Sequence, residues 1–209
     1  MPLTPKGRGT RQRIIEGAAA HLRGEAGLEV TLDEVRASTR TSKSQIFHYF
    51  PGGKDELFLE VARFEAGRIL REQQPHLDEL DSWESWNAWR DAVIARYREQ
   101  GPRCAMTSLS RQTNITPGAA EVSRLLLASW QERLRTGIEK MQASGFIGPQ
   151  LDAQRASSAM LAALQGGIVI LQATGLTDHL EAAVDASLDQ LRAAAAAPIA
   201  EEPHSGVSN

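Results

Sequence analysis

The sequence predicts an all-α fold of nine helices in two parts, a small three-helix head and a larger helical body. Three observations predict it. No segment alternates apolar and polar residues strictly over strand length, and β-branched residues are sparse. Apolar residues recur instead at spacings of three and four, between Gly, Pro and polar breaks. Residues 31–50, TLDEVRASTRTSKSQIFHYF, read as two short helices joined by a tight turn. That is the helix-turn-helix arrangement, in which the second helix enters the major groove of DNA.

Each element has its own signal. Residues 1–9 form a Pro/Gly-rich basic arm. Helix one covers about 10–25, with Ile14, Ala18 and Leu22 on one stripe, and Gly27 supplies its C-cap. Thr31 and Glu34 make a capping box for helix two, whose buried face holds Leu32 and Val35. Thr39-Arg40-Thr41-Ser42 is the turn, and Ser42 caps a third helix with Ile46 and Phe50 inward. Pro51-Gly52-Gly53 breaks the chain before helix four, about 54–74, with Leu57, Val61 and Phe64 inward and Pro75 as its stop. Five helices follow over about 82–100, 104–113, 118–144, 152–174 and 178–196, the long 118–144 helix running through Val122, Leu125, Leu126, Trp130 and Leu134. The expected division is a head over 1–53, a body over 54–197 and a disordered tail over 198–209.

Ser42-Lys43-Ser44-Gln45-Ile46-Phe47-His48-Tyr49-Phe50, followed by Lys54-Asp55-Glu56-Leu57, resembles the signature of the tetracycline-repressor (TetR) family. Ile14-Ile15, Ala18-Ala19, Gly27 and Thr31 also sit at that family's spacings. The close match covers about the first 60 residues. The rest is similar in length, helical content and a few late motifs. The resemblance implies a TetR-like two-domain fold of nine helices that binds DNA as a dimer and is released by a small molecule. The family usually has Gly where this chain has Arg40, so a left-handed turn kept here costs about 1 kcal/mol.

Lys43, Ser44 and Gln45 are the candidates for base readout, since an exposed first turn has no packing reason to choose them. Gln45 can pair an adenine edge with both amide groups, and Lys43 can reach guanine O6 and N7. The resemblance implies phosphate contacts from Thr31, Ser42, Phe47, His48, Tyr49 and Lys54. Helix N-termini favour phosphate, which suits Thr31 and Lys54. Phe47 lacks the hydroxyl of the family's usual Tyr, and a core role is the preferred reading of its type; Tyr49 as core aromatic and His48 as solvated surface residue stay open.

Composition fits these readings. Residues 1–50 hold eight Lys/Arg against five Asp/Glu, and the remainder holds 15 against 21, so a basic head sits on an acidic body. Lys6, Arg8, Arg11 and Arg13 precede the reader with no acid among them. No apolar run approaches the roughly 18 residues of a membrane span, no secretory signal opens the chain, and a cytoplasmic protein is expected. The lone cysteine excludes an internal disulfide and a cysteine-based metal cage, and no cofactor or metal is expected.

In the body, Trp83, Trp86 and Trp89 are spaced by three, and Trp130 lies on the long helix. With Cys104, Met106, Leu109, Met160 and Gln165 they are candidates to line a cavity for a small hydrophobic effector, a reading that the resemblance favours over ordinary core packing. Cys104 beside Arg103 resembles a cysteine of one drug-responsive branch, although a small buried filler is the plainer role. One reading helix covers few base pairs, so a homodimer on a palindromic duplex is expected. Candidates for its interface are Ala163, Leu164, Gly167, Ile168, Leu171, Val184, Leu188 and Leu191, with small Ala159, Ala162 and Gly166 nearby; the same residues suit an internal core.

Two other functions compete. An enzyme is not expected: none of the five histidines sits in a nucleophile elbow, a zinc-protease pattern or a phosphate loop. A helical interaction module without DNA binding is allowed by the atypical Arg40 and Phe47.

Overall fold

The computed structural model describes residues 3–24 and 30–195, and within them the chain is all-α. Nine helices run α1 Pro5–Gly24, α2 Leu32–Thr39, α3 Lys43–Tyr49, α4 Gly53–Arg71, α5 Trp83–Gln100, α6 Ala105–Thr113, α7 Ala119–Ala143, α8 Ala153–Thr174 and α9 Asp178–Ala193. Short 3-10 turns at His76–Asp78 and Gly101–Arg103 were not apparent from spacing. The expected Gly27 cap and the tail from 198 lie outside the described residues.

Helix α1 starts earlier than its apolar stripe suggests. Thr4 Oγ1 accepts the Gly7 N–H at 3.1 Å, and Pro5 occupies the first helical position, where a missing N–H costs nothing. The expected arm is therefore largely helical, with Lys6 and Arg8 on the first turns. Arg11, expected to face no acid, pairs with Glu60 of α4 at 2.8 Å and lies over the Phe50 ring. Arg13 donates to the Thr39 carbonyl and so braces the turn between α2 and α3.

That turn keeps its left-handed residue. Arg40 has φ 51° and ψ 45°, and the Thr41 N–H reaches back to the Arg36 carbonyl at 3.0 Å. Buried Thr39 donates its hydroxyl to the Val35 carbonyl at 2.6 Å, and the Thr41 hydroxyl donates to the Thr39 carbonyl at 3.2 Å. α1 passes so close that a Cβ on Gly17 would meet Thr39 Cγ2 at 2.4 Å. The turn is fixed from three sides, so it absorbs the strain rather than reshaping. Arg40→Gly should stabilise the protein by about 1 kcal/mol, read as a higher urea midpoint.

Two apolar cores meet along α4. Ile14, Ala18, Val35, Ile46, Phe50, Leu57 and Val61 belong to the head core, whereas Ala62 and Ile69 belong to the body core. Buried Glu65 sits between them, bonded to Arg23 of α1, while Arg111 of α6 donates to the Leu22 carbonyl at 2.9 Å. In the body, α8 packs against α7 and α9. Its composition is apolar enough to cross a membrane by length and hydropathy, because Ala, Gly and Ser replace charges; 44% of that window is buried inside the body.

Candidate nucleic-acid interface

The reader is built from two consecutive capping boxes. At α2 the Glu34 N–H donates to Thr31 Oγ1 at 3.3 Å, and the Thr31 N–H donates to Glu34 Oε2 at 2.7 Å. That backbone donor holds the exposed Glu34 carboxyl below the ordinary glutamate range. At α3 the Gln45 N–H donates to Ser42 Oγ at 3.2 Å, and the Ser42 N–H donates to Gln45 Oε1 at 3.0 Å. Ser42 Oγ also lies 3.0 Å from Ser44 Oγ. Only Ile46 of α3 is buried; Lys43, Ser44, Gln45, Phe47 and His48 face solvent. The first turn of α3 carries no acid.

Lys43 and Phe47, one turn apart, line a cleft of about 240 Å3 with Leu32, Asp33, Arg36 and Ile46. Phe47 is 43% exposed, which overturns its expected core role; the Phe50 ring fills the head core instead. His48 stands edge-on to half-buried Tyr49, with centroids 4.8 Å apart. Lys54 lies at the start of α4 with its ammonium 5.5 Å above the Phe58 ring. Arg13, which orients the turn, and Arg36, which flanks Lys43, were not singled out by spacing.

In the body the tryptophans divide. Trp86, Trp89 and Trp130 are fully buried, with Trp86 and Trp89 edge to face at 5.7 Å. Half-buried Trp83 lies under the Arg192 guanidinium instead. Met106, Leu109 and Met160 are core residues, and Gln165 is half-buried. The clefts between α7 and the His76–Asp78 turn and beside Glu72 are lined by none of these nine residues. Cys104 is fully buried at the start of α6, 3.4 Å from Thr107 Oγ1, while Arg103 is exposed, so the small buried filler role fits. Four buried polar atoms of the body nonetheless make no hydrogen bond among the described residues: Trp86 Nε1, Trp130 Nε1, Gln112 Oε1 and Gln165 Nε2.

The residues expected at a dimer surface mostly face the chain's own core. Leu164, Gly167, Ile168, Leu171, Val184, Leu188 and Leu191 are buried, and Ala163 is half-buried. Gly167 packs on α9, where an added Cβ would meet Leu180 Cα at 2.6 Å. The outer face of α8 carries Ala159, Ala162, Gly166, Val169 and Ala173, with Leu176 just past its Gly175 cap; Val169 and Leu176 are 61% and 56% exposed.

A braced two-helix unit with a solvent-facing first turn, standing on a helical body, is the helix-turn-helix arrangement of DNA-binding proteins. Residues 15–61 match the family model described as bacterial regulatory proteins, tetR family. A regulatory protein TetR from Rhodobacter sphaeroides has the same fold at TM-score 0.73 and 18% identity, covering 85% of this chain and 96% of its own. A TetR transcriptional regulator from Chloroflexus aurantiacus J-10-FL reaches 0.74 at 22% identity, covering 89% and 96%. A TetR-family transcriptional regulator from Cytophaga hutchinsonii reaches 0.79 at 18%, covering 95% and 100%. No curated protein matches the sequence. Residues 15–61 therefore match the TetR family by sequence, and the described residues share the fold of these TetR-family structures.

Proposed function

We propose that the protein is a ligand-released repressor that binds a palindromic operator as a homodimer. The observation that carries the ligand half of this reading is the set of orphaned polar atoms in the body. Three donors and one acceptor on α5, α6, α7 and α8 are buried with no hydrogen bond among the described residues. Each such group costs about 1–3 kcal/mol unless something pairs with it. A flat apolar molecule carrying acceptors and one donor would relieve that cost between Trp86, Trp130, Gln112 and Gln165. Lys43, Ser44 and Gln45 are assigned to base edges, and Thr31, Ser42, Phe47, His48, Tyr49 and Lys54 to the DNA backbone around them. The head is taken as 1–53 and the body as 54–197, with α4 common to both cores.

The second copy is assigned to the outer face of α8, which keeps Ala159, Ala162 and Gly166 of the residues first expected and leaves the buried leucines to the core. Small Ala159, Ala162 and Gly166 allow close approach, and Val169 and Leu176 supply apolar area. Effector and DNA would then favour different spacings of the two heads, each weakening the other by the same factor.

Two measurements test this. Val169→Glu should turn a dimer into a monomer by sedimentation while leaving helicity unchanged; a wild-type chain that sediments as a monomer removes the operator model. A screen of flat apolar compounds should quench the buried tryptophans and release bound duplex at matching concentrations. Quenching without release would leave a binding protein but no switch.

A further inference from the structure

We propose that Gln45 reads an acceptor-only base edge, guanine N7 and O6, and not adenine. The inference rests on the DNA-reading role given above to α3. Pairing adenine through both amide groups requires the Gln45 carbonyl oxygen to accept from the adenine N6 amine while its Nε2 donates to N7. In this protein one lone pair of that oxygen is held by its own backbone: Oε1 accepts the Ser42 N–H at 3.0 Å, closing the box whose other arm is the Gln45 N–H on Ser42 Oγ at 3.2 Å. α3 has seven residues, so the box braces more than half of it. Turning Gln45 to accept from a base would open the box and free the Ser42 N–H.

With the box kept, Gln45 presents the two hydrogens of Nε2 alone. Its neighbours reinforce this polarity. Lys43 offers only donors, the Ser44 and Ser42 hydroxyls lie against each other at 3.0 Å, and no carboxylate stands in the turn to accept from cytosine N4. A turn whose ammonium and free amide hydrogens are donors matches guanine, whose major-groove edge presents two acceptors. It matches adenine less well, through N7 alone, and cytosine poorly.

The test uses the full-length protein and duplexes selected by it from a random pool. Each half-site position is then varied, and Gln45→Ala identifies the position whose preference it flattens. At that position the wild type should favour guanine over adenine by roughly tenfold or more. Gln45→Glu keeps an acceptor for the Ser42 N–H and should melt with the wild type, yet lose about 10- to 100-fold on the guanine duplex. Preference for adenine there, or a Gln45→Glu protein that keeps its guanine preference, overturns the inference while leaving DNA binding standing. A wild type that enriches no sequence overturns the DNA-reading role itself, and this inference with it.

Discussion

Arg23→Ala is expected to destabilise the protein by about 3 kcal/mol, lowering its melting temperature by roughly 6–12 °C. Glu65 is fully buried in α4, its Oε1 bonded to Arg23, and the next cation, Arg68, is 4.0 Å from its other oxygen. Burial pushes the Glu65 carboxyl above the ordinary glutamate range, and the Arg23 guanidinium pulls against it. Removing Arg23 leaves a buried charge with one distant partner. The sign with pH follows. A carboxyl whose folded pKa lies above its unfolded value favours folding most when both states are protonated, and that contribution fades as pH rises through the folded value. Without Arg23 that value climbs further, so the deficit of Arg23→Ala should be largest near neutrality and shrink on mild acidification. Glu72 behaves oppositely. Burial raises its carboxyl too, but bonds from Arg96, Arg68 and Gln100 outweigh burial and hold it below the ordinary range, so its contribution is lost as pH falls. A double change, Arg23→Ala with Glu65→Leu, should recover most of the loss, because it removes the charge along with its partner. Denaturant melts between pH 5 and 8 check all three. Equal deficits across that range would mean that Glu65 is not charged in the folded protein.

Gly167→Ala carries the second large effect. A Cβ there would stand 2.6 Å from Leu180 Cα and 3.0 Å from Leu180 Cβ. The obstacle is backbone, so no rotamer change relieves it, and α8 and α9 must separate. Such overpacking costs about 1–3 kcal/mol, more than the roughly 1 kcal/mol by which Ala exceeds Gly inside a helix. A net loss of up to about 2 kcal/mol is expected in a denaturant melt. Its neighbour Gly166 faces outward with nothing within 4 Å, so the two adjacent glycines separate the inner face of α8 from its outer one.

That separation also shows what spacing could and could not reveal. Periodicity placed Ile14, Ala18 and Leu22 in the head core and Leu164, Ile168 and Leu171 along α8, and all are buried. The capping pattern at Thr31 and Glu34 was legible because both partners lie within one turn. Periodicity assigns a face, however, without saying what covers it. The apolar stripe of α8 was offered to a second chain, but α7 and α9 already fill it, and the paler outer stripe of Ala159, Ala162 and Gly166 remains exposed. Leu125, expected inward on α7, is 53% exposed for the same reason. Glu65 falls four residues after Val61 and four before Ile69, both buried, so an acid on an apolar stripe was a visible sign of a buried ion pair. Its partner Arg23 lies 42 residues away, and no local pattern links them. The commitment of Gln45 Oε1 to Ser42 was likewise open to reading, since Ser-x-x-Gln is itself a capping-box pattern.

The central claim is that two copies lay the Lys43–Gln45 turn into successive major grooves of one duplex. Selection of binding sites from a randomised duplex pool, with native mass spectrometry of the winning complex, tests it most directly. An inverted repeat is expected, with half-sites about one helical turn or a little more apart and two chains on each duplex. Enrichment of no sequence, or one chain on an asymmetric site, would contradict it.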